Sequence, residues 1–386
     1  MLIKCTKKLL DTLDAKVTED HQESLMFSWH ANVVTVNRRK TVILLNDLNR
    51  YVIVLYGLKK KDFSNMDKLI LRAINDVFED ECLNEDIINA YFQEAGGITY
   101  TTTKDRSSTS RLNRVADWVN QFYDLLIEDS VIQSSLSMRI SRILVSESKG
   151  SKDYIVPVDL LHKNLEESYS QPVIKCKAVV MKVTLDLDNF DVWRRFIVPV
   201  NTTYTVLHKV LQKAFVWRDY HLHHYYIYGD QGIVDTSMIN HPNFHKEGYL
   251  PILNIVSDEY AFNDPDDLEM IWENGVRLSE IPFEHAKYTY DFGDNWQHYI
   301  EVEGTIEDFD CNHPVFVDGS GDTPPEDVGG ESGYENFLAI ISDPDEEEHE
   351  DFKLWAEEQR FRKYDPVFVK KEVEDLFRRY KPPINE

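Results

Sequence analysis

The first half of the chain switches between β-branched runs and helical stripes. Val33–Val36, Thr41–Asn46 and Tyr51–Tyr56 are apolar or aromatic runs separated by Asn37-Arg38-Arg39 and Asp47-Leu48-Asn49, a pattern that predicts strands joined by hairpin turns. Asn65–Glu81 places Leu69, Ala73, Ile74 and Val77 on one helical face, Asn84–Phe92 continues after a break, and Gly96-Gly97 ends the block. Ser110–Glu128 repeats the helical spacing through Leu112, Val115, Val119, Phe122 and Leu126. The polar stretch Ser146–Asp153, and Glu166–Gln171 ahead of Pro172, put a domain boundary near 165–172.

The second half restarts with a hairpin, Val173–Leu187 into Val192–Val200, turning at Asp188-Asn189. Thr202 or Thr203 can cap a helix reaching Phe215, with Val206, Leu207, Val210, Leu211 and Ala214 as its buried stripe. A strand over Leu222–Tyr228, a loop at Asp264–Asp267 and a hairpin from Tyr288–Phe292 to Asn295–Val302 follow. Helices are expected at Gly333–Ile341, 350–362 and 366–380, and no internal repeat is present. The expected fold is α+β in two domains: an N-terminal sheet-plus-helices domain over 1–168, and a C-terminal β-grasp-like α+β domain with terminal helices over 173–386.

Charge changes this picture. Residues 1–172 carry 22 Lys/Arg against 25 Asp/Glu, whereas 173–386 carry 20 against 43. Between Tyr288 and Phe352 there are twenty acids and no Lys or Arg. Such a surface repels nucleic acid and anionic membrane, and its carboxylates must face water, a cation or a basic partner. The four cysteines form no CxxC pair, there is no signal-like start, and no run of about 18 apolar residues occurs, so a reduced cytoplasmic protein without membrane association is expected.

Two glycine-broken motifs lie in the acidic stretch. A two-residue turn at Gly293-Asp294 or Asp294-Asn295 places Asp291, Trp296 and His298 on one face, with Asp294 above them. That suits a metal-ligand pair or an Asp-oriented histidine, although on this motif alone a structural cross-strand pair is the favoured reading. Pro324-Pro325-Glu326-Asp327 fixes an extended approach before Gly329-Gly330, presenting Glu326 and Asp327 to a cation or to a helix cap. Upstream, Trp217 precedes His221-Leu222-His223, whose histidines share a strand face and have usable metal-ligand spacing. The candidate metal set is therefore His221, His223, Asp291, His298, Glu326 and Asp327, for a divalent ion such as Mn, Zn or Mg, with Asp294, Trp296 and Trp217 as candidate binding residues. In the first half, Arg38, Arg39, Lys40, Lys104, Arg106, Arg111 and Arg114 are the candidates for phosphate contact, against a net charge of −3 that does not favour a nucleic-acid module.

The second half resembles the family named for the third open reading frame of an agrobacterial Ri plasmid, also described as insertion-element passenger or TnpR-like proteins. Val192-Trp193-Arg194-Arg195, Leu207-His208, Gln212, Phe215-Val216-Trp217, His221-Leu222-His223, Tyr290–Asp294, Trp296, His298, Pro324–Gly330 and Gly333-Tyr334 carry the likeness over about 173–360. Family members often have cysteines flanking the Pro-Pro-Glu-Asp loop. Phe316 and Thr323 stand there in this chain, so the resemblance implies no thiolate site. Cys5-Thr6-Lys7-Lys8-Leu9 and Asn37–Lys40 are similar to a small stand-alone domain family of unknown function. The family implies linkage to mobile elements. From the residues, the favoured reading is an interaction module whose acidic C-terminal domain binds a basic protein or a second copy. The alternatives are a divalent-metal domain with phosphoester or nucleotide hydrolysis, and nucleic-acid contact through the basic loops. No complete catalytic constellation is present.

Overall fold

The computed structural model describes residues 1–13, 15–18, 23–103, 106–147, 151–229, 243–263 and 268–377. Lys104, the expected loop Asp264–Asp267 and the end of the last expected helix lie outside them. The protein is a two-domain α+β chain: one compact unit runs Met1–Cys176 and the second begins at Lys177.

The N-terminal unit contains β1 (Leu2–Cys5), α1 (Lys7–Leu13), β2 (Ser28–Val36), β3 (Arg39–Asn46), β4 (Val52–Leu55), α2 (Lys60–Phe63), α3 (Met66–Asp80), α4 (Glu85–Ala95), β5 (Thr99–Thr102), α5 (Arg106–Gln121), α6 (Ser134–Ser141), the short ribbon β6 (Val145–Ser146) and β7 (Tyr154–Ile155), and α7 (Pro157–Tyr169). Its five-stranded sheet has the order β4-β3-β2-β1-β5. β2, β3 and β4 form the expected antiparallel hairpins, while β1 runs parallel to both β2 and β5. Trp29, Ala31, Val33, Leu44 and Ile53 pack with α3, α4 and α7 on one face; Ile43, Leu45 and Val54 pack with α5 and α6 on the other. Burial on both faces explains why β3 and β4 read as unbroken apolar runs rather than alternating ones. Glu166–Tyr169, read from sequence as part of a linker, is the last turn of α7, whose Leu161 and Leu165 are buried.

One buried polar cluster closes this core. The Arg142 guanidinium donates from both Nη atoms to the Glu81 carboxylate, each bond 2.6 Å, and the Tyr51 hydroxyl donates to the same carboxylate at 2.6 Å. Burial opposes ionisation of Glu81, but the charge of Arg142 and these bonds hold it below its ordinary value.

The second unit holds β8 (Cys176–Leu185), whose first residue Cys176 still belongs to the N-terminal unit, β9 (Val192–Pro199), α8 (Tyr204–Ala214), β10 (His223–Tyr228), β11 (Pro251–Val256), β12 (Met270–Trp272), β13 (His285–Tyr290), β14 (Trp296–Phe309), β15 (Val315–Ser320), α9 (Gly330–Ser342), α10 (His349–Glu358) and α11 (Pro366–Leu376). The strands make one eight-stranded sheet in the order β12-β11-β10-β13-β14-β8-β9-β15. α8 starts at Thr203, whose hydroxyl accepts from the Val206 amide, and buries Leu207, Val210, Leu211 and Ala214. Val206 is only half-buried. α11 covers the same core through Val369 and Val373, and a smaller cluster of Tyr334, Phe337 and Ala356 joins α9 to α10.

The hairpin at 285–302 differs from the expected one. Tyr290 pairs with Trp296 and Tyr288 with His298, so the connection is the five residues Asp291–Asn295 and not a two-residue turn. Asp291 and Asn295 both take left-handed backbone, φ 55° and 57°, and the Asn295 amide donates to the Asp291 carbonyl. Tyr288, Tyr290, Trp296 and His298 consequently share the buried face, while Asp291 lies beyond the β13–β14 ladder.

Candidate metal centre

Three chain segments meet beside the β13–β14 connection: the link from α8 to β10, the turn Asp291–Asn295, and the Pro-Pro-Glu-Asp loop leading into α9. The Trp217 indole donates to the Pro324 carbonyl (3.0 Å), and the Arg218 amide donates to Glu326 Oε2 (3.0 Å). The Tyr290 hydroxyl donates to Glu326 Oε1 and accepts from the Tyr220 amide at 3.0 Å and the His221 amide at 3.3 Å. The Asp291 amide reaches the Leu222 carbonyl at 3.0 Å, and the Gly329 amide reaches Asp294 Oδ2 at 3.1 Å.

The loop is held from behind by Arg194. Its side chain is buried and its donors all reach neutral oxygens: the carbonyls of Trp193, Ala214, Ser320 and Gly321, and the Thr323 hydroxyl. The guanidinium lies 5.1 Å from the Phe215 ring centre and 4.4 Å from that of Tyr364. Burial pushes its pKa down to about 10. Two glycines permit the loop's close approaches. A Cβ on Gly330 would come within 3.2 Å of the Asp294 carbonyl oxygen, and one on Gly333 within 1.9 Å of the Val328 carbonyl oxygen.

This scaffold brings together His221, Asp291 and Asp327, whose donor atoms all lie within 4.8 Å of one another. His221 Nε2 sits 3.0 Å from Asp327 Oδ1 and 3.5 Å from Asp291 Oδ2. That nitrogen is buried, yet its angles to both carboxylates are wrong for a hydrogen bond. Asp291 Oδ1 is occupied by the Gly293 and Asp294 amides at 3.0 and 3.4 Å, which turns Oδ2 toward the histidine. Val216, Asp219, Asp291, Asn295 and Asp327 all have φ between 55° and 61°, a concentration of strained backbone in the segments that present the site.

The other expected ligands lie elsewhere. Glu326 is next to the cluster, but both its oxygens are taken by Tyr290 and Arg218. His223, the first residue of β10, is held by a different partner from His221. Its imidazole bonds to Glu273 (2.9 Å) and stacks on His208 at 3.6 Å. His298 is buried under the site against Phe215 and Trp217; its Nδ1 lies 3.3 Å from the Tyr288 carbonyl, and its Nε2 meets no partner among the described residues. Trp217 stacks on Tyr290 and Trp296, so both tryptophans support the loops from within. Asp294 holds the Gly329 amide.

Sequence reasoning passed over a second cluster. The Gln212 amide donates to the Tyr288 hydroxyl (3.0 Å), which donates to His208 Nδ1 (2.8 Å), and His208 Nε2 donates to Asp219 (2.7 Å). Every proton in this chain of bonds has a place only if His208 is neutral, in keeping with burial driving its pKa down. The Gln212 and His208 spacing within one helix was the available signal. Among the basic residues, Arg39 is bound to Glu128 (2.8 Å) and Lys40 lies over the Phe63 ring, while Arg38 and Arg106 are exposed and Arg111 is half-buried. Among the described residues no helix is long and apolar enough to cross a membrane.

Comparison with known proteins agrees with this two-part organisation. Residues 2–160 match a family described as a domain of unknown function, DUF6933, and residues 177–373 match the family described as plasmid pRiA4b ORF-3-like protein. The uncharacterized protein y4hQ of Sinorhizobium fredii is 31% identical over 179 residues, 46% of this chain and 80% of that protein. A crystal structure of a protein of unknown function, MM3350 from Methanosarcina mazei Go1, is 29% identical with a TM-score of 0.38, covering 50% of this chain and 96% of that one. The chain thus belongs, through residues 177–373, to the plasmid pRiA4b ORF-3-like family.

Proposed function

We propose that the C-terminal domain binds a divalent cation through His221, Asp291 and Asp327. The observation that carries this reading is the buried His221 Nε2, set between two carboxylate oxygens and hydrogen-bonded to neither. A cation would accept that lone pair and offset the repulsion between Asp291 and Asp327. One imidazole and two carboxylates suit Mn, Fe or Zn better than Ca. Three protein ligands leave positions for water or a substrate, and a bound cation would supply an activated water there. Phosphoesters and nucleotides are the substrate class to screen.

The test is thermal unfolding of metal-stripped protein against Mg, Mn, Zn and Ni, with a His221→Gln/Asp327→Asn variant alongside. An ion-specific rise in Tm that the variant loses supports the site; unchanged melting with every ion removes it. A second reading, docking of a basic protein partner, is favoured by the twenty acids and absence of Lys or Arg from 288 to 352. It predicts binding that weakens with salt and ignores chelators.

A further inference from the structure

We propose that Cys82 and Cys176 form a covalent modification site in the N-terminal unit, closing to an intramolecular disulfide under oxidation by a small disulfide such as oxidised glutathione. Cys82 follows α3 in left-handed backbone, φ 58°, and is buried; Cys176 is partly exposed. The two chain segments are already tied antiparallel. The Asn84 amide donates to the Val173 carbonyl at 2.8 Å, Leu83 bridges Ile174, and the Lys175 amide donates to the Cys82 carbonyl at 3.0 Å. Lys175 lies opposite Cys82 in this register and Cys176 is the next residue; Cys82, in left-handed backbone, does not follow the alternation of an extended strand, and its thiol is hydrogen-bonded to the Cys176 sulfur. From that contact a disulfide needs the sulfurs to close to about 2.05 Å, a side-chain adjustment on a backbone that is already paired.

The contact also assigns roles. The bond from Cys82 lowers the pKa of Cys176 against the effect of burial, while that bond and burial raise the pKa of Cys82. Cys176 is therefore the attacking thiolate. It displaces one glutathione thiolate and forms a mixed disulfide. Cys82 then gives up its proton and attacks the Cys176 sulfur, expelling the second glutathione. Two protein thiols lose two electrons in total, one disulfide is reduced to two glutathione thiols, and the protons released by the cysteines end on glutathione. Cys5, by contrast, is buried and its pKa is pushed up to about 12 by that burial alone.

The experiment uses the full chain incubated with oxidised glutathione, then denatured for thiol counting and digested for peptide mass spectrometry. Reactive thiols are expected to fall from four to two, with a Cys82–Cys176 cross-linked peptide and full recovery after dithiothreitol. Cys82→Ser should stop at glutathione attached to Cys176. Four thiols persisting through the treatment, or a cross-link engaging Cys5 or Cys311 instead, would overturn the proposal. The cross-link readout on the unmodified chain does not depend on how well the variant folds.

Discussion

His298 makes the stability of the C-terminal unit sensitive to acid in a calculable way. It is fully buried, flanked by Phe215, Trp217 and Tyr288, and burial lowers its pKa from 6.5 to about 3. A folded-state pKa below the unfolded one means that the stabilisation is complete above pH 6.5 and drains away as pH falls toward 3. At pH 5 the unfolded imidazole is protonated and the folded one is not, so the loss relative to pH 8 is 1.5 pH units at ~1.36 kcal/mol each, about 2 kcal/mol. His298→Leu removes the titrating group. The variant will be less stable at pH 8 for packing reasons, but its further loss between pH 8 and pH 5 should be smaller than that of the parent by about 2 kcal/mol. His224 and His245, also driven down to about 3 by burial, titrate in both proteins and cancel in the difference. Urea unfolding read by hydrogen exchange on peptides from 285–302 scores the C-terminal unit alone. Equal pH 8-to-5 losses in parent and variant would refute the reasoning, because the folded site would then accept a proton as readily as the unfolded chain does.

Other substitutions probe the scaffold and the site separately. Arg194→Met leaves five oxygens without their donor and should cost about 3–5 kcal/mol by chemical denaturation of the C-terminal unit; a cost below about 1 kcal/mol would show the cage to be dispensable. Gly333→Ala drives a methyl into the Val328 carbonyl, so it should abolish the ion-dependent rise in Tm while the exchange protection of β13 and β14 persists. Asp327→Asn should weaken Mn or Zn binding at least tenfold, ~1.4 kcal/mol, in a calorimetric titration without lowering the Tm of the metal-free protein. Glu81→Gln leaves Arg142 short of its counter-charge and should cost about 3–5 kcal/mol in the N-terminal unit, seen as a lower urea midpoint.

The elements that periodicity can report were legible in the sequence: the β2–β3–β4 hairpins, α3, α4, α8 and the two arms β13 and β14. Failures came where a single backbone conformation or a distant partner decides the outcome. The β13–β14 turn was misread because Asp291 at φ 55° stores the chain in a five-residue loop, and asparagine and aspartate suit that as well as they suit a two-residue turn. That slip moved His298 from the site to the core. β1 escaped notice since four residues carry little pattern, and its place between β2 and β5 comes from pairing with chain far away in sequence. Of the six expected ligands, the fold brings His221, Asp291 and Asp327 together. The pairing of Glu326 with Tyr290 and Arg218, and of His223 with Glu273, depends on loops whose approach no local pattern encodes.

Arg194 lends the acidic domain a fixed point that carboxylates do not supply. Its charge is caged by peptide and hydroxyl dipoles, with no direct ion pair among the described residues, so neither added salt nor protonation of the surrounding acids dissolves the cage. The Pro-Pro-Glu-Asp loop hangs from that cage through Thr323. The support of the loop is therefore separate from the carboxylates it presents: the cage rests on neutral oxygens, and Glu326 and Asp327 take no part in it. A loop held in this way keeps its shape when the charges around it change.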